Sequence, residues 1–338
     1  MSRKIRVAVC GATGAVGREM VKVIEERRLP VAGLRLLASE RSAGQTLEFA
    51  GEQVPVEVLG EGSFTGIDIA LFSAGADVSR RYAPLAARAG AVVVDNTSAF
   101  RLEDDVPLVV PEVNSQALER FSRRGIVANP NCSTIQLVVV LKPLERLAAI
   151  RRVVVSTYQS VSGAGQAGVR ELEQQCLDIF NLRPVSCNQF PRQIAFTCLP
   201  HIGDFRSDGY SVEEHKMMDE TRKILERPDL RISATTVRVP VFYGHSEAVN
   251  LEFAAPVSEQ QARAALGQAP GVRLVDDLDE PYPTNLDAVG GDDTLVGRLR
   301  RDPSLEHGLD LWIVADNLRK GAALNAVQIA ELLLEQYL

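Results

Sequence analysis

Residues 5–27 carry a strand, a glycine turn and a helix in immediate succession, and few folds accommodate that order. Ile5-Arg6-Val7-Ala8-Val9-Cys10 reads as a buried strand, Gly11-Ala12-Thr13-Gly14-Ala15-Val16-Gly17 as the turn, and Arg18 to Arg27 as the helix. Glycines let a backbone lie against a pyrophosphate, whose charge is received by the helix N-terminus, so the order predicts a dinucleotide-binding, Rossmann-type fold. The spacing is GxxGxxG rather than GxGxxG, and a purely structural strand-to-helix turn is the competing reading. Strand and helix signals keep alternating to about residue 130, with strands expected at 34–38, 67–72, 91–94 and 125–128. Such alternation predicts a parallel sheet with crossover helices.

The 338 residues exceed what one compact core usually holds, and the texture changes near Cys132. Longer strands follow, notably 152–159, which leads into the small-residue turn Ser160-Val161-Ser162-Gly163-Ala164-Gly165 and a long helix around 169–180. A final helix over 322–338 is expected to return to the first domain. The fold class is therefore α/β: a dinucleotide-binding domain over 1–131, joined by the C-terminal helix 318–338, and a second, α+β substrate domain over 132–317. A net charge of −7 argues against nucleic acid or an anionic membrane as the main partner. No apolar run reaches about 18 residues and none resembles a signal peptide, so a cytoplasmic protein is expected. Cys10, Cys132, Cys176, Cys187 and Cys198 are odd in number and without CxxC pairs, which predicts reduced thiols and no metal site.

Among these thiols Cys132 stands apart. In Asn129-Pro130-Asn131-Cys132-Ser133-Thr134-Ile135 it sits where a strand ends and an apolar helix begins, with no glycine or proline until Pro143. A helix N-terminus favours the thiolate and lowers the pKa from its free value of about 8.5, as a nucleophile requires. A buried, inert cysteine is the alternative. Elsewhere, Arg41-Ser42 after the second strand suits the 2′-phosphate of NADP, against which Glu40 would repel it. Arg101 either faces a ligand or is solvated. Ser211 and Glu214 have capping-box spacing, so Glu213 and Lys216 share a helix face and would by default form a surface ion pair. Arg238 and His245 are seven apart, on opposite faces of an ideal strand, unless a bulge or bend at Gly244 brings both into one cleft; otherwise His245 is structural.

Taken together these segments resemble aspartate-semialdehyde dehydrogenases nearly end to end, from Gly11 to Asp316-Asn317. The resemblance rests on Asn131-Cys132-Ser133-Thr134, Tyr158-Gln159, Ser162-Gly163-Ala164-Gly165, Glu213 with Lys216, and Arg238 with His245. Pro281-Tyr282-Pro283-Thr284 and Val296-Gly297-Arg298 add to it. It implies that Cys132 is the nucleophile, His245 the acid/base and Gln159 a substrate-positioning group, with Arg238 on the substrate carboxylate and Glu213 on its amino group. Arg101 and Lys216 would hold phosphate; Gly11, Thr13, Gly14, Ala15, Val16, Arg41, Ser42, Ser162, Gly163 and Asn317 would contact NADP. The implied reaction is the reversible, NADP-dependent reductive dephosphorylation of aspartyl phosphate to aspartate semialdehyde through a cysteine thioester, in the biosynthesis of aspartate-family amino acids such as lysine, threonine and methionine. The implied partners are a small-molecule substrate, inorganic phosphate and a second copy of the chain in a homodimer. An N-acetyl-gamma-glutamyl-phosphate reductase or a non-catalytic NADP-binding paralogue are the alternatives.

Overall fold

The computed structural model describes residues 3–277, 279 and 282–338; Pro281 of the family-like segment lies outside the described residues, as do Met1 and Ser2. The chain divides into two compact units, Met1–Asn131 with Ala322–Leu338, and Cys132–Gly321. Among the described residues no helix is long and apolar enough to cross a membrane.

The first unit is built on strands β1 (Ile5–Cys10), β2 (Val31–Ala38), β3 (Thr46–Phe49), β4 (Glu52–Val58), β5 (Ile69–Phe72), β6 (Val92–Asp95) and β7 (Ile126–Ala128). Their order is β3-β4-β2-β1-β5-β6-β7, parallel throughout except for the β3–β4 hairpin. The apolar character of β1, β5, β6 and β7 is that of strands covered on both faces. Helix α1 (Ala15–Glu26) buries Gly17, Met20, Val21 and Ile24, a 3-4-7 spacing that turns one stripe into the core, and the C-terminal helix Leu324–Gln336 packs beside it. Helices α2 (Ala76–Arg88) and the short α3 (Pro111–Asn114) complete this unit.

In the second unit, α4 (Cys132–Glu145) is apolar around its whole circumference and accordingly buried, lying against the sheet and two helices. It continues through Pro143 to Glu145, so that in its last turn the proline ring removes one hydrogen bond to the preceding turn and crowds the carbonyl four residues back. There follow β8 (Ile150–Gln159), α5 (Gly165–Phe180), α6 (Val212–Leu225), β9 (Arg231–Arg238), β10 (His245–Phe253), α7 (Glu259–Gly267), β11 (Val272–Leu274), α8 (Asn285–Ala288), β12 (Thr294–Arg301) and β13 (Gly308–Ala315). The mixed sheet has the order β11-β12-β13-β10-β8-β9. Along β10 the alternation is clean: Val249, Leu251 and Phe253 are buried, whereas Ala248, Asn250 and Glu252 are half-exposed on the other face.

Candidate active site

Three strands of the second unit bring polar side chains to one end of its sheet. Gln159 ends β8 and pairs in register with Arg238, which ends β9, while β10 starts antiparallel beside β8 with His245. Arg238 and His245 therefore do not lie on one strand interrupted by a bulge. They end and begin two separate strands with β8 between them, and the Val239–Gly244 connection resets the phase, turning at Gly244 where φ is +81°. Both side chains converge on Gly163: a β-carbon there would lie 2.8 Å from Arg238 Nη1 and 3.3 Å from His245 Nε2.

The remaining groups arrive on helices. The capping box at α6 forms as the spacing predicts, with Glu214 N–H donating to Ser211 Oγ at 3.3 Å and Ser211 N–H to Glu214 Oε2 at 2.7 Å. It fixes the first turn, where Lys216 Nζ lies 3.0 Å from Glu213 Oε2 and Gln159 Nε2 donates to Glu213 Oε1 at 3.5 Å. This is not a surface ion pair, since Glu213 is buried and only Lys216 reaches solvent. Cys132 is the first residue of α4, and Gly321 packs against it so closely that an added β-carbon would come within 2.8 Å of Cys132 Cβ.

Electrostatics follow from burial. Arg238 donates from Nη1 to the Ser160 carbonyl at 2.7 Å, and desolvation draws its pKa down, with Glu213 and Cys132 opposing. The His245 imidazole is fully buried and pushed down to about 3 by that burial, then by Arg238; Glu213 and a backbone contact with Gly244 act against the shift. Its Nδ1 accepts the Ser160 N–H at 3.1 Å and lies 3.1 Å from Ser160 Oγ. That hydroxyl and Ser162 Oγ are 3.0 Å apart, and Asn317 donates from Nδ2 to Ser162 Oγ at 3.0 Å. Ser162 and Asn317, expected at the cofactor, are thus also joined to the histidine, and Ser160 is a site residue that the sequence reading passed over as part of a small-residue turn.

In the first unit Gly11, Thr13, Gly14, Glu40 and Arg41 line a cleft of about 540 Å³ together with Ser73, Val78 and Tyr82. Thr13 Oγ1 lies 3.1 Å from Ser42 Oγ, while Ala15 and Val16 are taken up by the first turn of α1. Val78 and Tyr82 carry no sequence signal, being ordinary residues of α2. The cleft fits a dinucleotide phosphate: Gly11 has φ +84°, a β-carbon on Gly17 would sit 2.2 Å from the Gly11 carbonyl oxygen, and α1 begins at a Gly14 without side chain and with no acid in its first turn. Arg101 is not solvated but buried, donating from Nε to the Asn129 carbonyl and from Nη2 to the Asn96 carbonyl, both at 2.9 Å. No cluster of three or more His, Cys, Asp and Glu side chains is placed to hold a metal among the described residues.

Comparison with known proteins gives these arrangements a family. Residues 6–121 match the family model described as semialdehyde dehydrogenase, NAD binding domain, and residues 141–320 that described as semialdehyde dehydrogenase, dimerisation domain. An aspartate-semialdehyde dehydrogenase of Legionella pneumophila is 54% identical over 340 residues, covering 100% of this chain and 98% of its own. The crystal structure of aspartate semialdehyde dehydrogenase II from Vibrio cholerae complexed with ASA is 52% identical, with a TM-score of 0.98 and complete coverage of both chains. That of the Candida albicans enzyme with NADP is 26% identical, with a TM-score of 0.75 and 98% of each chain covered. A chain that matches both domain models and shares half its residues with the Legionella and Vibrio enzymes over its full length belongs to the aspartate-semialdehyde dehydrogenase family.

Proposed function

We propose that this chain interconverts aspartyl phosphate and aspartate semialdehyde with NADP as cofactor and Cys132 as nucleophile. The observation that carries the reading is the grouping, within one unit, of Cys132 at a helix N-terminus with a buried guanidinium, a buried imidazole and a buried carboxylate. The Cys132 thiolate attacks the acyl phosphate carbon, a C–S bond forms, phosphate leaves and a thioester remains. Gly11, Thr13, Gly14, Arg41 and Ser42 would hold NADPH at the glycine turn, and the bound cofactor would supply the hydride that takes the thioester to the aldehyde level. Collapse of the C–S bond then releases aspartate semialdehyde and returns the thiolate.

The other roles follow from residue chemistry. Arg238 can hold the substrate carboxylate bidentately, and Glu213 its ammonium, with Gln159 fixing the Glu213 carboxylate and orienting the substrate. A substrate ammonium on Glu213 would compete with Lys216, freeing that cation for phosphate, the role also proposed for Arg101. His245 manages charge and protons at the reacting oxygen. A homodimer in the cytoplasm, built through the second unit, is the proposed working form.

The test is reduction of NADP by the purified protein with aspartate semialdehyde, with and without inorganic phosphate, and with the N-acetylglutamate analogue as competitor substrate. Phosphate-dependent reduction with aspartate semialdehyde alone is expected, and Cys132→Ala is expected to abolish it while leaving NADP binding intact. Preference for the N-acetylated substrate, or turnover by the alanine variant, would overturn the reading.

A further inference from the structure

Two backbone carbonyls hold the Arg101 guanidinium by one edge. Nε donates to the Asn129 carbonyl and Nη2 to the Asn96 carbonyl, both at 2.9 Å, so a bidentate grip on an anion has to come from the outer Nη1–Nη2 edge. Carbonyls orient a guanidinium without neutralising it. Both belong to asparagines just past the ends of paired strands, Asn96 after β6 and Asn129 after β7. Their side chains are joined as well, Asn129 Nδ2 donating to Asn96 Oδ1 at 2.6 Å. Asn129 is fully buried, and its amide cannot be turned over: Nδ2 also faces the Ala322 carbonyl at 3.2 Å, which can only accept, and Oδ1 receives Asn325 Nδ2 at 2.6 Å. Asn325, the second residue of the C-terminal helix and equally buried, is fixed in turn by donating to the Val109 carbonyl at 3.0 Å. Three amides therefore run in one sense from the helix to the two residues that carry Arg101.

We propose that Asn96, Asn129 and Asn325 are positioning residues that set the Arg101 guanidinium for phosphate, in fixed register with the segment leading into Cys132. The idea rests on the phosphate role given to Arg101 above. The row lies wholly within the first unit, so its geometry belongs to one compact body. Asn129 is three residues before Cys132, a length of chain that spans at most about 11 Å, so the backbone itself ties the anchor of the guanidinium to the proposed nucleophile. In the oxidative direction a phosphate oxygen attacks the thioester carbon, the C–S bond breaks and the Cys132 thiolate leaves. That step needs the anion held at a set distance from the sulfur, and a side chain as long as arginine keeps such a distance only if its head is fixed. Fastening the C-terminal helix would not by itself require the row to end on the acceptors of Arg101. The helix is also fastened apart from it, by Gln328 Nε2 donating to Glu112 Oε1 of α3 at 2.9 Å.

Steady-state kinetics of the full-length protein in the oxidative direction, with inorganic phosphate varied at saturating aspartate semialdehyde and NADP, tests this. Asn129→Ala, Asn325→Ala and the half-buried Asn96→Ala should each raise the KM for phosphate at least fivefold. The KM for aspartate semialdehyde and the phosphate-free burst of NADPH should stay within twofold of the parent. In an Arg101→Ala background, itself impaired toward phosphate, the same substitutions should add nothing, because they act through that side chain. Gln328→Ala, which loosens the same helix without touching the row, should leave the phosphate KM unchanged. Should the two buried replacements not fold, Asn96→Ala decides alone. Additive losses in the Arg101→Ala background, an equal rise in the KM for the aldehyde, or the same phosphate defect in Gln328→Ala would reduce the row to support of the fold and overturn the proposal. A phosphate KM that rises in Arg101→Ala but in none of the asparagine variants would overturn the positioning role alone. One that does not move in Arg101→Ala would remove the phosphate role of that arginine, and the positioning role with it.

Discussion

Gly163 is the residue at which packing and proposed chemistry meet most tightly. It stands where a methyl group would press on the tip of Arg238 at 2.8 Å and on His245 at 3.3 Å, both from strands that begin or end beside it. The atom that would yield is the far end of a long side chain, so the backbone is not forced to move. The guanidinium is nevertheless committed, since Nη1 already donates to the Ser160 carbonyl at 2.7 Å. Displacing it by part of an ångström should therefore spoil the proposed grip on the substrate carboxylate while the fold survives. For Gly163→Ala we expect kcat/KM to drop by about tenfold to a hundredfold, carried largely by KM, with little change in melting temperature. Steady-state kinetics beside a thermal melt would check this. Full activity with an unchanged melt would show that the guanidinium tip is not needed where it lies.

Strand β10 carries His245 at its first position and Glu247 two residues later, on the same buried face. Glu247 is fully buried, and desolvation holds its carboxyl well above the ordinary range; Gln136 of α4 lies beside it and offsets part of that penalty without reaching hydrogen-bond geometry. The folded state thus keeps the proton that the unfolded chain releases near pH 4.3. An acid with a raised folded pKa contributes its stability fully below the unfolded pKa and loses it as pH climbs toward the folded one, at about 1.4 kcal/mol per pH unit. Glu247→Gln removes this dependence, so its melting temperature should stay near the parent's at pH 4 and gain on it steadily toward pH 8. A gap that does not move with pH would mean that the carboxyl is not held protonated. Element boundaries of this kind are partly legible in the sequence. The strand, glycine turn and helix of β1 and α1 can be read because periodicity and glycine spacing are local, and the Ser211 capping box for the same reason. The break between β9 and β10 is not, because it depends on β8 inserting between them, a pairing across about a hundred residues. Ser160 stays hidden likewise: nothing local marks a serine whose partner nitrogen is 85 residues away.

At the scale of the whole molecule, the mixed sheet of the second unit is covered unevenly, since its second face is packed at the β12–β13 end, where Ala288 of α8 meets Leu295 and Val314, and is more open around Ala248. Helix α4 lies against the face that buries Val249, Leu251 and Phe253, whereas Ser156, Ala248, Asn250 and Trp312 meet across neighbouring strands on the other. Around Ala248 that second face is half-exposed and carries aromatic surface, with Tyr158 40% accessible and its ring 5.4 Å from Trp312. Because residues 141–320 match a dimerisation domain, we expect a second copy of the chain to dock on this face about a two-fold axis. Ala248 lies at its middle, opposite Ser156 on one side and Trp312 on the other. In a single chain an arginine at that position would project into solvent at little cost to the fold. In a two-fold interface it would meet its own symmetry mate or a desolvated partner strand, and an unpaired buried charge costs several kcal/mol per site. Ala248→Arg should accordingly run as a 36.8 kDa particle in light scattering at micromolar concentration, where the parent runs at twice that mass, and should melt as a folded protein. If the variant keeps the doubled mass, the two copies meet through some other surface; if the parent itself is monomeric, no docking on this face is needed to complete the enzyme.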